Sequence, residues 1–241
     1  MRWSLSGLPD LERLTAQPFA HRGLHGEGRV ENSRAAFQSA IAAGHGIELD
    51  VQLSRDGDAV VFHDYQLDRL TGHAGDVAAR TAEQLRAICL SGTDETIPAL
   101  LEVLQLVGGR VPLLIEVKAP DRKVARLCLA VFRALAGYRG PVAVMSFNPE
   151  VSRWFAAHAP KLPRGLVMSE SGKRGLRGRL ERRFAWWRSK AQFLAYDVRD
   201  LPSRFARGRR VPVFTWTVRS DEEWQRAALH ADAAIYEVPA A

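Results

Sequence analysis

The sequence predicts an α/β fold: a TIM-type (β/α)8 barrel with a small accessory hairpin after the second strand. Three observations predict it. Short apolar, β-rich runs alternate with helix-like stretches, which implies parallel strands joined by crossover helices. One run follows its predecessor through the tight turn Arg55-Asp56-Gly57-Asp58 and reads as a hairpin strand; eight others remain, the number that closes a barrel. The length, 241 residues, suits one such domain spanning residues 1–241. An open doubly wound sheet shares this periodicity and stays as the alternative.

The strand-like runs fall at 19–21, 47–53, 59–62, 111–117, 141–147, 165–168, 192–196, 211–218 and 233–236, with 59–62 as the accessory strand. Helices are expected between most of them. Residues 32–43 carry small and apolar side chains at helical spacing and stop at Gly44. Residues 81–88 open on Thr81 with Glu83 and Gln84 in the first turn; 99–107 end at Gly108-Gly109; 121–136 end at Gly137. Residues 148–158 begin Asn-Pro-Glu, a cap followed by proline at the first helical position. Residues 220–230 begin Ser-Asp-Glu-Glu, a cap with acids on the positive end of the helix dipole.

Composition narrows the function classes. Apolar residues make up 46% and charged residues 25%, which excludes a mostly disordered or fibrous chain. No run approaches the ~18 apolar residues of a membrane span. Residues 1–10 hold one Arg and no continuous apolar stretch, so no secretory leader is expected. Cys89 and Cys128 are too few for a disulfide scaffold and read as reduced thiols of a cytoplasmic protein. The net charge of +7 favours anionic partners without choosing among them. Nucleotide-binding glycine loops are absent. Nucleic acid is not expected as a partner, because the basic excess sits in one local stretch without a recognition motif.

The chemistry concentrates at strand ends. In 47–53, Glu48 and Asp50 share one face while Leu49 points the other way. Two carboxylates on one face of a buried strand repel each other and are costly to desolvate; a cation between them, or pairing with Lys or Arg, is the remedy. Glu116 and Lys118 repeat the pattern after the apolar 112–115; a solvated surface pair is the alternative there. Glu48, Asp50 and Glu116 would then meet at the carboxyl ends of two strands, and an all-oxygen set suits Mg²⁺, Ca²⁺ or Mn²⁺ rather than zinc. His21 ends the first strand and His63 ends the accessory strand, positions suited to general acid and base or to satisfied structural imidazoles. Arg22 offers a planar fork to a phosphate, and Gly23 leaves room beside it. Trp216 ends a strand and lines either a substrate pocket or the core. Asn32 is expected to cap the helix that follows it, with a place in the metal shell as the alternative.

Taken in order, these residues resemble one family. Ala20-His21-Arg22-Gly23, Glu31-Asn32-Ser33, Ile47-Glu48-Leu49-Asp50-Val51-Gln52-Leu53, Asp56-Gly57, Val60-Val61-Phe62-His63-Asp64, Leu67-Asp68-Arg69 and Thr71-Gly72 closely resemble the glycerophosphodiester phosphodiesterases. Ile97-Pro98-Ala99-Leu100 and Ile115-Glu116-Val117-Lys118 continue the match, and Ser146-Phe147 and Trp216-Thr217-Val218 extend it more thinly. The resemblance implies a metal-dependent hydrolase on a TIM barrel that releases sn-glycerol 3-phosphate and an alcohol. It implies one divalent cation on Glu48, Asp50 and Glu116, acid and base roles for His21 and His63, and phosphate contacts from Arg22 and Lys118. It also suggests a two-step route through a cyclic phosphate. The alternative activities are a lysophospholipase D-like enzyme on bulkier lipid and a non-catalytic phosphate- or lipid-binding barrel. Two departures stand out: Val30 replaces a usual Pro, and Tyr236 and Glu237 replace a usual Thr-Asp, a change expected at the site's rim and bearing on head-group choice.

Residues 173–190 hold eight Lys or Arg against one Glu. At helical spacing Leu176, Leu180, Phe184, Trp187 and Ala191 form one stripe with Trp186 beside it. A barrel helix packing that stripe on the sheet is the expectation. Peripheral docking on the inner, anionic face of a membrane, where each basic residue contributes about 1 kcal/mol, is the alternative.

Overall fold

The computed structural model of the chain describes residues 9–26 and 28–238. Most of the stretch in which no leader is expected therefore lies outside the described residues, as does Pro239 of the last family motif. In chain order the elements are α1 (Pro9–Leu14), β1 (Phe19–Ala20), α2 (Arg34–Ala42), β2 (Gly46–Leu53), β3 (Ala59–Val61), α3 (Asp68–Thr71), α4 (Ala82–Arg86), α5 (Leu100–Val107), β4 (Leu113–Val117), α6 (Ala125–Ala134), β5 (Val142–Ser146), α7 (Pro149–His158), β6 (Arg164–Met168), α8 (Leu176–Ser189), β7 (Phe193–Asp197), α9 (Arg204–Arg207), β8 (Val213–Val218), α10 (Asp221–His230) and β9 (Ala233–Tyr236).

Eight parallel strands run in the order β1-β9-β8-β7-β6-β5-β4-β2, and β1 pairs with β2 to close the ring. This is the expected barrel, and the open sheet is excluded. β3 stands outside the ring, antiparallel to the end of β2, with Val51 opposite Val61 and Leu53 opposite Ala59. It is the expected hairpin.

Period-two alternation sorts each strand's side chains. Ile47, Leu49 and Val51 of β2 and Leu113, Ile115 and Val117 of β4 face outward into the shell made with α2, α5, α6 and α7. Leu114, Met145, Val167, Phe193, Phe214 and Ile235 fill the barrel, joined by Leu11 and Leu14 of α1, a short helix the sequence reading did not anticipate. Two glycines make the interior fit. A Cβ at Gly165 would lie 2.1 Å from the Phe193 ring, and one at Gly46 would lie 2.6 Å from Phe19. Large rings on two strands are thus accommodated by missing side chains on their neighbours.

The helix caps follow local chemistry. Thr81 and Gln84 form a reciprocal capping box on α4. Asn148 caps α7 by accepting from the Glu150 amide at 3.0 Å, and Ser220 caps α10 by accepting from the Glu223 amide at 3.3 Å. Ser33, not Asn32, caps α2, its oxygen accepting from the Ala36 amide at 3.2 Å.

α8 reverses the packing expectation. Leu176, Leu180, Phe184 and Trp187 are 74%, 59%, 53% and 62% exposed, so the stripe points away from the barrel. The buried side holds Gly178, Arg182 and Ser189, with Ala185 and Trp186 packed on the cluster around Leu166, Leu194 and Tyr196. At Gly178 the approach is close: a Cβ there would sit 1.9 Å from the carbonyl oxygen of Lys173, on the segment that leads into the helix. Buried Arg182 is paid for by bonds to the Lys173 carbonyl and the Glu170 carboxylate.

Candidate active site

β2 and β4 are neighbours in a register that sets Asp50 opposite Glu116 and Glu48 opposite Leu114. Because Glu48, Asp50, Leu114 and Glu116 all fall on inward positions, three carboxylates converge at the carboxyl end of the barrel. Each offers an oxygen within 4.8 Å of the others. All three are buried. Burial pushes the Glu48 carboxyl well above the usual carboxylate range, and the charges of Asp50 and Glu116 push it further. Glu116 is raised for the same first reason, with Lys118 pulling the other way. On Asp50 burial is outweighed by the charges of Lys118 and Arg22, which hold it below the usual range.

This donor set fits a hard divalent cation. Glu48 Oε1 is buried and lacks a hydrogen-bond partner. An orphaned oxygen beside two more carboxylates is costly unless a positive charge or a proton joins it. Oxygen-only donors select Mg²⁺, Ca²⁺ or Mn²⁺ over thiophilic metals.

Cations of the chain surround the acids. Lys118 Nζ lies 3.0 Å from Asp50 Oδ1 and 2.8 Å from Glu116 Oε1. Arg22 sits at φ +56°, which turns its backbone N–H onto Glu48 Oε2 at 3.1 Å. Its Nη1 donates to Glu31 Oε1 at 2.8 Å, and its Nε lies 3.4 Å from Asp50 Oδ2. Asn32, also at φ +56°, donates from Nδ2 to Asp50 Oδ2 at 3.0 Å. Its expected cap role is therefore corrected: the left-handed backbone aims its amide at the acids and passes the cap to the next residue.

Each histidine is held through Nδ1 by a carboxylate. His21 bonds Glu237, and its Nε2 lies 3.8 Å from Glu48 Oε2. His63 Nδ1 lies 2.6 Å from Asp64 Oδ1. Burial is the leading cause that lowers both imidazoles below their ordinary value, against the pull of the neighbouring acids. Asp64 is fixed in turn by Arg69, which also grips both oxygens of Glu31. His21, Arg22, Glu48, His63, Glu116, Lys118 and Trp216 line one cavity of 320 Å³, and Asp50 lies buried beside it through its contacts to Lys118 and Arg22. Trp216 donates its indole N–H to the Ala195 carbonyl at 3.0 Å and meets Phe147 edge-on at 5.5 Å, forming the wall opposite the acids.

The rim expectation for Tyr236 and Glu237 is half corrected. Ile235 occupies the inward position on β9, so Tyr236 faces outward, where its hydroxyl meets His45 Nδ1 at 2.5 Å and its ring packs near Trp224. Glu237 does reach the site, bridging His21 and Arg219. Sequence reasoning did not see Glu237 as a histidine partner, nor the Glu31–Arg69–Asp64 chain. The only signal was the presence of those residues within the quoted motifs.

The comparisons with known proteins agree with this geometry. The glycerophosphoryl diester phosphodiesterase family matches over residues 21–241. A glycerophosphodiester phosphodiesterase of Caldanaerobacter subterraneus is 35% identical over 158 residues, which is 61% of this chain and 65% of that protein. Human glycerophosphodiester phosphodiesterase 1 is 30% identical over 158 residues, 61% of this chain and 47% of its own. The chain thus spans less than two thirds of these relatives' length. Among solved structures, a Thermotoga maritima glycerophosphodiester phosphodiesterase covers 90% of this chain and 92% of its own at 26% identity, with a TM-score of 0.71. An Oleispira antarctica phosphodiesterase, solved with the product sn-glycerol-3-phosphate, shares the fold at 24% identity and a TM-score of 0.76, covering 91% of this chain and 92% of its own. The family match runs from the first site histidine through every strand that contributes to the cavity, and the chain belongs to the glycerophosphoryl diester phosphodiesterase family.

Proposed function

We propose that the chain is a divalent-cation-dependent phosphodiesterase that hydrolyses glycerophosphodiesters to sn-glycerol 3-phosphate and an alcohol, acting as one domain over residues 1–241. The observation that carries this reading is the meeting of three buried carboxylates, one with an orphaned oxygen, beside two carboxylate-held imidazoles on one cavity. The names of its relatives supply the substrate class.

Glu48, Asp50 and Glu116 would hold the cation. When bound, it offsets charge developing on the phosphate's non-bridging oxygens. Arg22 and Lys118 bring positive charge to the same phosphate, Arg22 as a planar fork already aimed by Glu31. His21 and His63 carry protons. With Nδ1–H turned to Glu237 and Asp64, each ring presents Nε2 as its working atom. The ring that is neutral takes the proton from the attacking hydroxyl, and the other, protonated at Nε2, gives its proton to the leaving alkoxide. Trp216 and Phe147 supply an apolar wall against the substrate's carbon skeleton and exclude water from that side. Unbonded Cys89 and Cys128 suit a reducing cytoplasm. Among the described residues no helix is long and apolar enough to cross a membrane.

The test is a panel of glycerophosphodiesters with choline, ethanolamine and glycerol head groups, read by release of glycerol 3-phosphate. The protein is stripped with EDTA and resupplied with Mg²⁺, Ca²⁺ or Mn²⁺. Turnover should vanish on stripping and return with at least one ion. Full turnover in stripped protein removes the cation from the reading, and no glycerol 3-phosphate from any diester ends it.

A further inference from the structure

We propose that α8 is a docking face for the surface of a bilayer containing anionic lipid, a property that goes beyond hydrolysis and does not depend on it. Leu176, Leu180, Phe184 and Trp187 form a continuous outward stripe, each more than half exposed, at the i, i+4, i+8 and i+11 positions of one helix. At 100° per residue the stripe lies on the side of α8 opposite Gly178, Arg182 and Ser189, which face the barrel. The stripe runs from Leu176 to Trp187 and covers about 17 Å of one flank at ~1.5 Å per residue. Scattered exposed apolar residues are ordinary; four aligned large ones on one helix are not.

The charges around the stripe choose the occupant. Arg179 and Arg183 flank it on one side and have no acidic partner among the described residues. Lys190 follows on the same flank, its ammonium 5.5 Å from the Trp187 ring centre. The remaining cations near the helix are already engaged: Lys173 and Arg177 by Glu181, Arg174 by Asp200, Arg182 by Glu170, and Arg188 by Glu150. An apolar band with uncompensated cations and a tryptophan is matched by acyl chains below anionic headgroups. A second copy of this chain fits worse, because stacking two α8 faces sets Arg179, Arg183 and Lys190 against their duplicates.

The placement relates to the cavity mouth. The loop feeding α8 leaves the carboxyl end of β6, the same end of the barrel as the acids. Lys173 on that loop and Phe147 line a small hollow of 140 Å³, and Phe147 also borders the 320 Å³ cavity. Seated on a bilayer by α8, the protein would hold its mouth at the edge of the headgroup layer.

The experiment is co-sedimentation of the whole chain with vesicles of phosphatidylcholine alone or of phosphatidylcholine with phosphatidylglycerol, at low and high salt. One variant carries Leu180→Ser, Phe184→Ser and Trp187→Ser. A second carries Arg179→Gln and Arg183→Gln. Thermal melting confirms that each folds, and the second variant tests the surface even where the first does not. The wild type should bind the anionic vesicles at low salt and release with added salt, and each variant should bind about tenfold more weakly. No binding at low salt overturns the proposal, as does equal binding to pure phosphatidylcholine or undiminished binding by the variants. A lipid-free dimer that the first variant abolishes would assign the stripe to self-association and also overturn it. None of these readings involves turnover, so failure of the hydrolytic reading leaves the outcome distinct.

Discussion

The two halves of the barrel solve opposite problems. The half from β1 to β4 gathers charge: Glu48, Asp50 and Glu116 are buried with Arg22 and Lys118 among them, and His21 and His63 stand at the edge. The half from β5 to β9 gathers rings and aliphatic groups: Met145, Val167, Phe193, Phe214, Trp216 and Ile235. One side carries uncompensated electrostatic tension that a ligand can relieve. The other is filled by apolar side chains, with Gly165 making room for Phe193 as Gly46 does for Phe19 at the seam of the charged half. The difference teaches that stability and chemistry are stored in separate sectors of one cylinder, and substitutions should separate them.

The largest effect is expected from His21→Ala or His63→Ala. Each should lower kcat on a glycerophosphodiester about 10²- to 10⁴-fold, the usual worth of a positioned acid or base, with the circular dichroism spectrum unchanged. Near-normal rates in both would erase the division, because the charged half would then hold no proton carrier. Phe193→Ala should do the converse. Its fully buried ring sits against Phe214 at 4.9 Å, and truncation should cost about 3–5 kcal/mol in urea unfolding while the residual folded protein turns over normally. A stability loss below about 1 kcal/mol would contradict the dense packing described for that half.

Glu237→Gln probes the boundary between the halves. Burial pushes the Glu237 carboxyl up, but the bonds and charges of His21 and Arg219 outweigh it and hold it at about 2; Glu237 in turn pulls the His21 imidazole upward against its burial. Removing its charge should lower kcat by roughly one order of magnitude and move the acidic limb of the pH–rate profile to lower pH. An unmoved limb would leave Glu237 as packing only. The smallest expected effect is a pH-dependent one. Glu48 and Glu116 have folded pKa values above their unfolded ones, so their protonated forms favour the fold. That contribution is complete below the unfolded value and is lost as pH rises through the folded value. A bound cation cancels the loss, so the gain in Tm on adding Mg²⁺ should grow from pH 5 to pH 8. A gain independent of pH would mean that the acids are not its ligands.

Much of this is legible in the sequence. Alternation alone put Glu48 and Asp50 on one face, and Gly57 in its turn announced the hairpin. What was hidden depended on direction rather than pattern. Periodicity found the stripe on α8 but not which way it points, because the inward side is built from Gly178, Ser189 and a bonded Arg182 rather than from apolar residues. Asn32 read as a cap because its residue type suits one, and its left-handed φ, invisible in the sequence, decides otherwise. Glu237 lies far along the chain from His21, and only closure of the ring brings them together.

That closure rests on little backbone. β1 contributes two residues, Phe19 and Ala20, to join β2 on one side and β9 on the other, and the His21 amide adds a bond to the Tyr236 carbonyl at 2.8 Å. The zip of the cylinder and the seat of the proposed proton carrier His21 are therefore the same short stretch. Opening this two-residue strand breaks fewer backbone bonds than melting the sheet. On warming, turnover should fade while the far-ultraviolet spectrum still reads as native, with the His21 amide exchanging its hydrogen ahead of those in β4 to β7. Synchronous loss of both signals would show that the ring stays shut until everything else lets go.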